Sequence, residues 1–287
     1  MKKQLQEHLQ KRCQEYVDDS TSLSCTKVEL KSNLFQKRNA QIVYVKARGT
    51  IRSHHSADER SSVNYTIHWQ FFIKQNQKFY IEEEMEERKA YFDRETLVED
   101  EEVILLFSEE QSSAKWRKDT DLRIPFYYDR LRAVQYAETW WNEFNPSFEM
   151  FENDCTNFIS QCLLAGEAPM RGAPNRSAGW WYNRNNWSYS WAVAHAFVLY
   201  LSNSKTGLKA IEVDSPEKLL LGDVICYDFE GDGRFNHTTI VTGKDAEGMP
   251  LVNAHTTNSR LRYWSYEDST AYTPNIQYRF FTIVGDE

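Results

Sequence analysis

Strict alternation of apolar and polar positions marks the early part of the chain. Over residues 62–74, Val63, Tyr65, Ile67, Trp69, Phe71 and Ile73 interleave with Asn64, Thr66, His68, Gln70 and Lys74. A period of two over that length predicts a strand with one face in a core and the other in water. Val43, Val45, Ala47, Gly49 and Ile51 predict a second strand over 41–51. The turn Gln75-Asn76-Gln77 leads into a third, over 78–82. Before them, residues 3–18 are polar and helix-forming, with a stripe of Leu5, Leu9, Cys13, Tyr16 and Val17. The acidic stretch 82–102 is broken by Tyr91 and Phe92, and 103–107 reads as one more short strand. Residues 108–121 are poor in apolar side chains and read as a linker.

The period then changes. Leu131, Val134, Ala137, Trp140, Trp141 and Phe144 recur at helical spacing until Asn145-Pro146. Phe158, Ile159, Cys162 and Leu163 repeat that spacing and place a helix start near Asp154. A tract of Trp180, Trp181, Tyr182, Trp187, Tyr189 and Trp191 interleaves aromatic rings with Asn and Arg, and 191–201 reads as a helix. Gly222-Asp223 is a turn feeding a strand. Residues 237–243 and 251–255 are strands joined through a turn at 245–248, and 278–284 is the last strand. The fold class expected is α+β: an N-terminal helix on a curved antiparallel sheet over 1–110, a linker over 111–124, and a second module of helices followed by an antiparallel sheet over 125–287. The first module resembles, in outline, the cone-shaped nuclear-transport-factor-like fold, which says nothing of activity.

With 287 residues and 41% hydrophobic side chains, one large or two ordinary domains have enough material for a core. A net charge of −8 argues against a nucleic-acid partner, because phosphate binding needs concentrated Lys and Arg. No window approaches the ~20 apolar residues of a membrane span. The N-terminus carries no apolar run, so the expected location is cytoplasmic as given, with a cell-wall role open if a leader was removed or the protein is released. The cysteines at 13, 25, 155, 162 and 226 are odd in number and lack CxxC spacing, unlike a disulfide framework or a zinc site. His54-His55 reads as a solvated hairpin loop. The Glu230-Gly231-Asp232-Gly233 loop lacks the spacing and bidentate Glu of a calcium loop. No cofactor or metal is expected, and oligomeric state is left open.

The chemistry centres on Cys155. In the first turn of a helix, unpaired N–H groups and the dipole stabilise a thiolate, which predicts a lowered pKa. The bland alternative is a small buried side chain. Nucleophilic catalysis also needs a base and a group that orients it. His237 opens a strand, and Asn253 and His255 share one face of the next. If the two strands pair through the 245–248 turn, either side chain reaches His237 across the ladder. The Cys155 N–H is a candidate oxyanion donor. Asp154 caps the helix or contacts substrate. Trp180, Trp181, Tyr182 and Trp187 are candidates for stacking on substrate, against the alternative that some of them wedge a loop onto the domain.

Several features together resemble the bacterial putative amidase domain family, a papain-like group related to NlpC-type enzymes and to cysteine, histidine-dependent amidohydrolase/peptidase domains. They are Tyr128-Asp129-Arg130, the run Asp154-Cys155-Thr156-Asn157-Phe158-Ile159-Ser160-Gln161-Cys162, Trp181-Tyr182, Gly222-Asp223, His237-Thr238-Thr239-Ile240-Val241-Thr242-Gly243 and His255-Thr256. The resemblance implies hydrolysis of an amide by Cys155 with His237 as base, and His255 in the place where NlpC-type enzymes carry an orienting histidine. The wider relatives imply peptidoglycan stem peptides as substrate, with an intracellular amide as the other possibility. Two further readings stay open: a non-catalytic peptide- or glycan-binding scaffold, and a zinc hydrolase using Cys155, His237 and His255.

Overall fold

The structure, a computed structural model, describes residues 1–18, 26–103 and 126–286. In chain order the elements are α1 (Lys2–Glu15), α2 (Thr26–Lys37), β1 (Ala40–Ala57), β2 (Arg60–Gln75), β3 (Lys78–Asp93), β4 (Thr96–Glu102), α3 (Arg130–Trp140) and α4 (Cys155–Ala165). There follow β5 (Tyr182–Asn183), β6 (Asn186–Trp187), α5 (Tyr189–Ala192), α6 (Ala194–Asn203), β7 (Lys209–Val213), β8 (Val224–Asp228), β9 (His237–Lys244), β10 (Pro250–Ala254), β11 (Ser259–Tyr263) and β12 (Gln277–Val284). This is a mixed α/β chain whose open sheets are mostly antiparallel. It divides into two compact units, Met1–Leu106 with Thr257–Thr270, and Phe107–Thr256 with Ala271–Glu287. The expected linker and the strand expected at 103–107 lie almost wholly outside the described residues. Among those residues, no helix is long and apolar enough to cross a membrane.

In the first unit β1, β2 and β3 form a meander. The alternating residues of β2 line its core together with Leu5, Tyr16, Val28 and Phe35 from the two helices. Tyr16 meets Trp69 and Phe71 edge-on. Three features depart from expectation. Strand β3 runs to Asp93 rather than ending at 82, and the acidic stretch forms β3 and β4. A second helix, α2, packs on the sheet. Both have one cause: the interior is partly ionic. Glu82, Glu84 and Glu86 are buried on β3, and Lys27 and Lys31 are buried on α2. Lys31 Nζ contacts Glu82 (2.5 Å), Glu84 and Asp268 (2.8 Å), while Arg12 and Arg88 close on Glu86.

The third departure is Thr257–Thr270, expected with the second module. It joins the first unit because β11 pairs with β3 and because Arg262 and Asp268 complete this ionic interior. His54 and His55 lie exposed at the end of β1 rather than in a loop; the turn is Asp58-Glu59, with Asp58 at φ 52°.

The second unit builds a sheet in the order β10-β9-β8-β12-β7. Val224, Cys226, Ile240 and Phe281 from that sheet share a core with Phe158, Ile159, Cys162 and Leu163 of α4 and with Phe197 and Leu201 of α6. Apolar spacing thus does for α4 what the sequence pattern requires. The turn before β8 is fixed by Asp223, fully buried, whose carboxylate accepts from Leu220 N, Ile283 N, Thr282 Oγ1 and Arg130 Nη1. Tyr128 Oη donates to the Gly222 carbonyl at 2.7 Å. These contacts tie the entry of α3 to the sheet.

Candidate active site

Cys155 is the first residue of α4 and 4% exposed. Its backbone N–H, expected as a free oxyanion donor, donates to Thr256 Oγ1 at 3.2 Å. The thiol lies 3.7 Å from Thr156 Oγ1, which in turn meets Thr238 Oγ1 at 3.2 Å. The thiol therefore sits against the beginning of β9 at Thr238, while the alternation of that strand turns the side chain of His237 to the other face, and His237 does not line the cleft that Cys155 lines.

Its acidity runs opposite to the expectation. Burial pushes the Cys155 thiol up from its ordinary value, and the hydroxyls of Thr156, Thr238 and Thr256 offset only part of that. Desolvation outweighs the helix start, so the resting group is a protonated thiol. Deprotonation has to be supplied by a base.

The second shortfall is register. Strand β10 pairs Leu251 with Gly243, then Val252 with Val241, so Thr242 is an extra residue, a β-bulge. Without it Asn253 would face Val241, on the side of His237 and Thr239. With it Asn253 faces Ile240, and the register, continued, sets His255 opposite Thr238. A one-residue slip moves both side chains to the other face. That face carries α4. Asn253 there accepts from Thr242 Oγ1 at 2.7 Å and donates to Ala137 O and Glu138 Oε1. His255 stacks on Phe158 with ring centroids 3.9 Å apart, and its nitrogens meet Asp154 Oδ2 and the Trp140 carbonyl, both at 2.7 Å. Neither Asn253 nor His255 is placed to orient His237, which pairs with Tyr227 and lies beside the rings of Tyr227 and Phe229.

Asp154 does not cap α4 with its side chain and is not among the residues that line the cleft. It is 1% exposed and accepts from Phe151 N, Asn157 Nδ2 and the His255 ring. Asn157 Oδ1 in turn accepts from Trp191 Nε1 at 2.8 Å. The cysteine helix is thus anchored at its start by a buried polar chain running from Trp140 through His255, Asp154 and Asn157 to Trp191.

The aromatic tract divides. Trp180 is fully buried, donating to Ser160 Oγ, and Trp181 is 2% exposed, donating to the carbonyls of Asn175 and Ala178. Tyr182 packs on Phe148 and Trp191 and bonds Glu149 N and Arg184 O. These three hold a loop. Trp187 alone of the candidates reaches the cleft into which Cys155 opens, a space of about 360 Å³ that Trp187 shares with Phe151, Arg176, His195 and Arg234.

His195 is the residue that pattern reading passed over. Its one signal was a histidine interrupting the apolar run of α6. In the structure its Nδ1 accepts from Phe235 N at 3.4 Å, which leaves Nε2 as the proton-bearing nitrogen. Burial, then Arg234, holds its pKa below the ordinary histidine value, so it offers a donor rather than a charge.

The profile of the family described as "Putative amidase domain" matches residues 127–281. An uncharacterized protein of Bacillus subtilis strain 168, YhbB, is 53% identical over 268 residues, spanning 90% of this chain and 86% of its own length. A second uncharacterized protein of that strain, YjcM, is 31% identical over 140 residues, covering 46% of this chain and 31% of its own length. No solved structure matches. On the span of that profile and the extent of the first likeness, the chain belongs to the putative amidase domain family.

Proposed function

We propose that the chain hydrolyses an amide bond with Cys155 as nucleophile and no metal in the step, and that His237 takes the thiol proton, a role that rests on the family resemblance and requires the start of β9 to turn the imidazole toward the thiol. The observation that carries the reading is the position of Cys155. It begins a helix anchored by a buried polar chain, opens into a cleft, and lies beside Thr156, whose hydroxyl meets that of Thr238 at the start of β9. Membership of the amidase family supports amide hydrolysis as the chemistry. The thiol is protonated at rest, so attack is coupled to proton transfer, and His237 returns that proton to the leaving amine. General base catalysis of this kind contributes about 10²–10⁴ in rate. His195, whose Nε2 carries a proton, serves as a hydrogen-bond donor to substrate rather than as a second base.

Peptidoglycan stem peptides are the substrate class we propose, by analogy with the NlpC-type relatives. The direct test is mass-spectrometric product analysis after incubation with disaccharide-peptide fragments, comparing wild type with Cys155→Ala and His237→Ala. New amine and carboxylate ends with wild type and none with either variant support the reading. Equal product from Cys155→Ala removes it.

A further inference from the structure

We infer that the cleft beside Cys155 selects a substrate bearing a carboxylate close to the bond that is cut, with Arg176 and Arg234 as its recognition residues. The inference rests on the reading of Cys155 as nucleophile. The Arg176 guanidinium lies over Trp187 (5.3 Å) and Tyr189 (4.9 Å), and its Nε donates to the Trp187 carbonyl at 3.0 Å. Stacking and one hydrogen bond fix the plane, and no carboxylate among the described residues pairs with the two terminal nitrogens. A guanidinium positioned in advance with two parallel donors matches a carboxylate in a bidentate fork.

Arg234 lines the same cleft, also without a carboxylate partner for its side chain among the described residues. It stands near His195, whose free Nε2–H adds a third donor.

The carboxylates of the cleft do not supply the missing partners. Glu230 accepts from Asn236 Nδ2, and Asp232 accepts from the backbone N–H of Arg234. Asp228, behind them, accepts from the backbone of Gly231, Asp232 and Gly233. These contacts keep the 229–236 loop in shape. Glu152 sits exposed on the rim. The cleft thus combines the Cys155 thiol, the donors of Arg176, Arg234 and His195, and acceptors largely committed to their own loop.

The test compares two reagents that differ by one charge: iodoacetate, an anion, and neutral iodoacetamide. Site-resolved mass spectrometry gives the alkylation rate of Cys155 with each, in the full-length protein and in Arg176→Gln and Arg234→Gln. The absolute iodoacetamide rate reports on the nucleophile and the ratio reports on the arginines, so the two claims fail separately. Direct charge-assisted pairing with the guanidinium groups predicts an iodoacetate-to-iodoacetamide ratio about tenfold above that of Cys13 in the same molecule. The excess falls at least threefold in each variant, with the iodoacetamide rate unchanged, and shrinks in 1 M salt, where charges are screened within about 3 Å. A ratio equal to that of Cys13, a ratio indifferent to both substitutions, or labelling of Cys155 by neither reagent overturns the inference.

Discussion

His255→Ala separates a structural histidine from a catalytic one. The imidazole is 2% exposed, and both nitrogens make 2.7 Å contacts, to the Asp154 carboxylate and the Trp140 carbonyl. Removing it takes from the Trp140 carbonyl its shorter partner and leaves the 3.3 Å bond from Glu143 N, at a cost of about 0.5–1.5 kcal/mol. It also takes away one of three partners of a carboxylate that is itself 1% exposed, and the stack on Phe158 worth about 0.5–1.5 kcal/mol. A hydrogen bond to a charged group is worth about 1.5–3 kcal/mol, and with the other pieces the loss comes to about 3–5 kcal/mol. For a unit of this size that is a fall in Tm of about 6–20 °C. The assay is urea unfolding followed by circular dichroism, with thermal melting beside it. Because Asp154 immediately precedes Cys155, the loosened helix start also slows Cys155 alkylation. A variant within about 1 kcal/mol of wild type but inactive would refute this reasoning and return His255 to the role of orienter.

Thr238→Val removes a hydroxyl that helps to lower the Cys155 thiol, so the pH profile of Cys155 alkylation moves to higher pH; an unchanged profile counts against the contact. Phe158→Ala, in the fully buried centre of α4, destabilises by about 3–5 kcal/mol in chemical denaturation. In the first unit, burial and then the neighbours Glu84 and Asp268 push the Glu82 carboxyl up to about 7, against the pull of Lys31 and Arg38. A carboxyl with a raised folded pKa favours the folded state when protonated, and that contribution is lost as pH rises from the unfolded value near 4.5 through about 7. Glu82→Gln, which keeps a neutral side chain, therefore gains stability relative to wild type at pH 8 and little at pH 4; equal differences at both pH values would contradict it.

What the sequence disclosed depended on whether burial was apolar. Strand β2 was legible because its inward positions from Val63 to Ile73 are all Val, Tyr, Ile, Trp or Phe, and α4 because Phe158, Ile159, Cys162 and Leu163 share a stripe. Strand β3 and helix α2 were not, since their inward positions carry Glu82, Glu84, Glu86, Lys27 and Lys31. Charges read as solvent-facing until their partners are known, and two of those partners, Arg262 and Asp268, lie more than 170 residues away in sequence. The start of the cysteine helix was legible from local spacing alone. The companions of His237 were not: they depend on the Thr242 bulge, one extra residue in a hairpin whose pattern reads equally well in either register. His195 and Arg176 enter the cleft from segments whose own patterns, an apolar helix and a polar loop, gave no sign of it.

The central claim is that Cys155 is an activated thiol, and the most direct measurement is its iodoacetamide labelling rate at neutral pH against that of Cys13, in wild type and His237→Ala. Burial raises the pKa of both thiols, and Cys13 is the more exposed of the two. Accessibility alone makes Cys13 the faster. The account predicts the reverse order, with Cys155 labelled first and its rate falling at least tenfold in His237→Ala. Labelling of Cys155 that is slower than that of Cys13 and indifferent to His237 would contradict it.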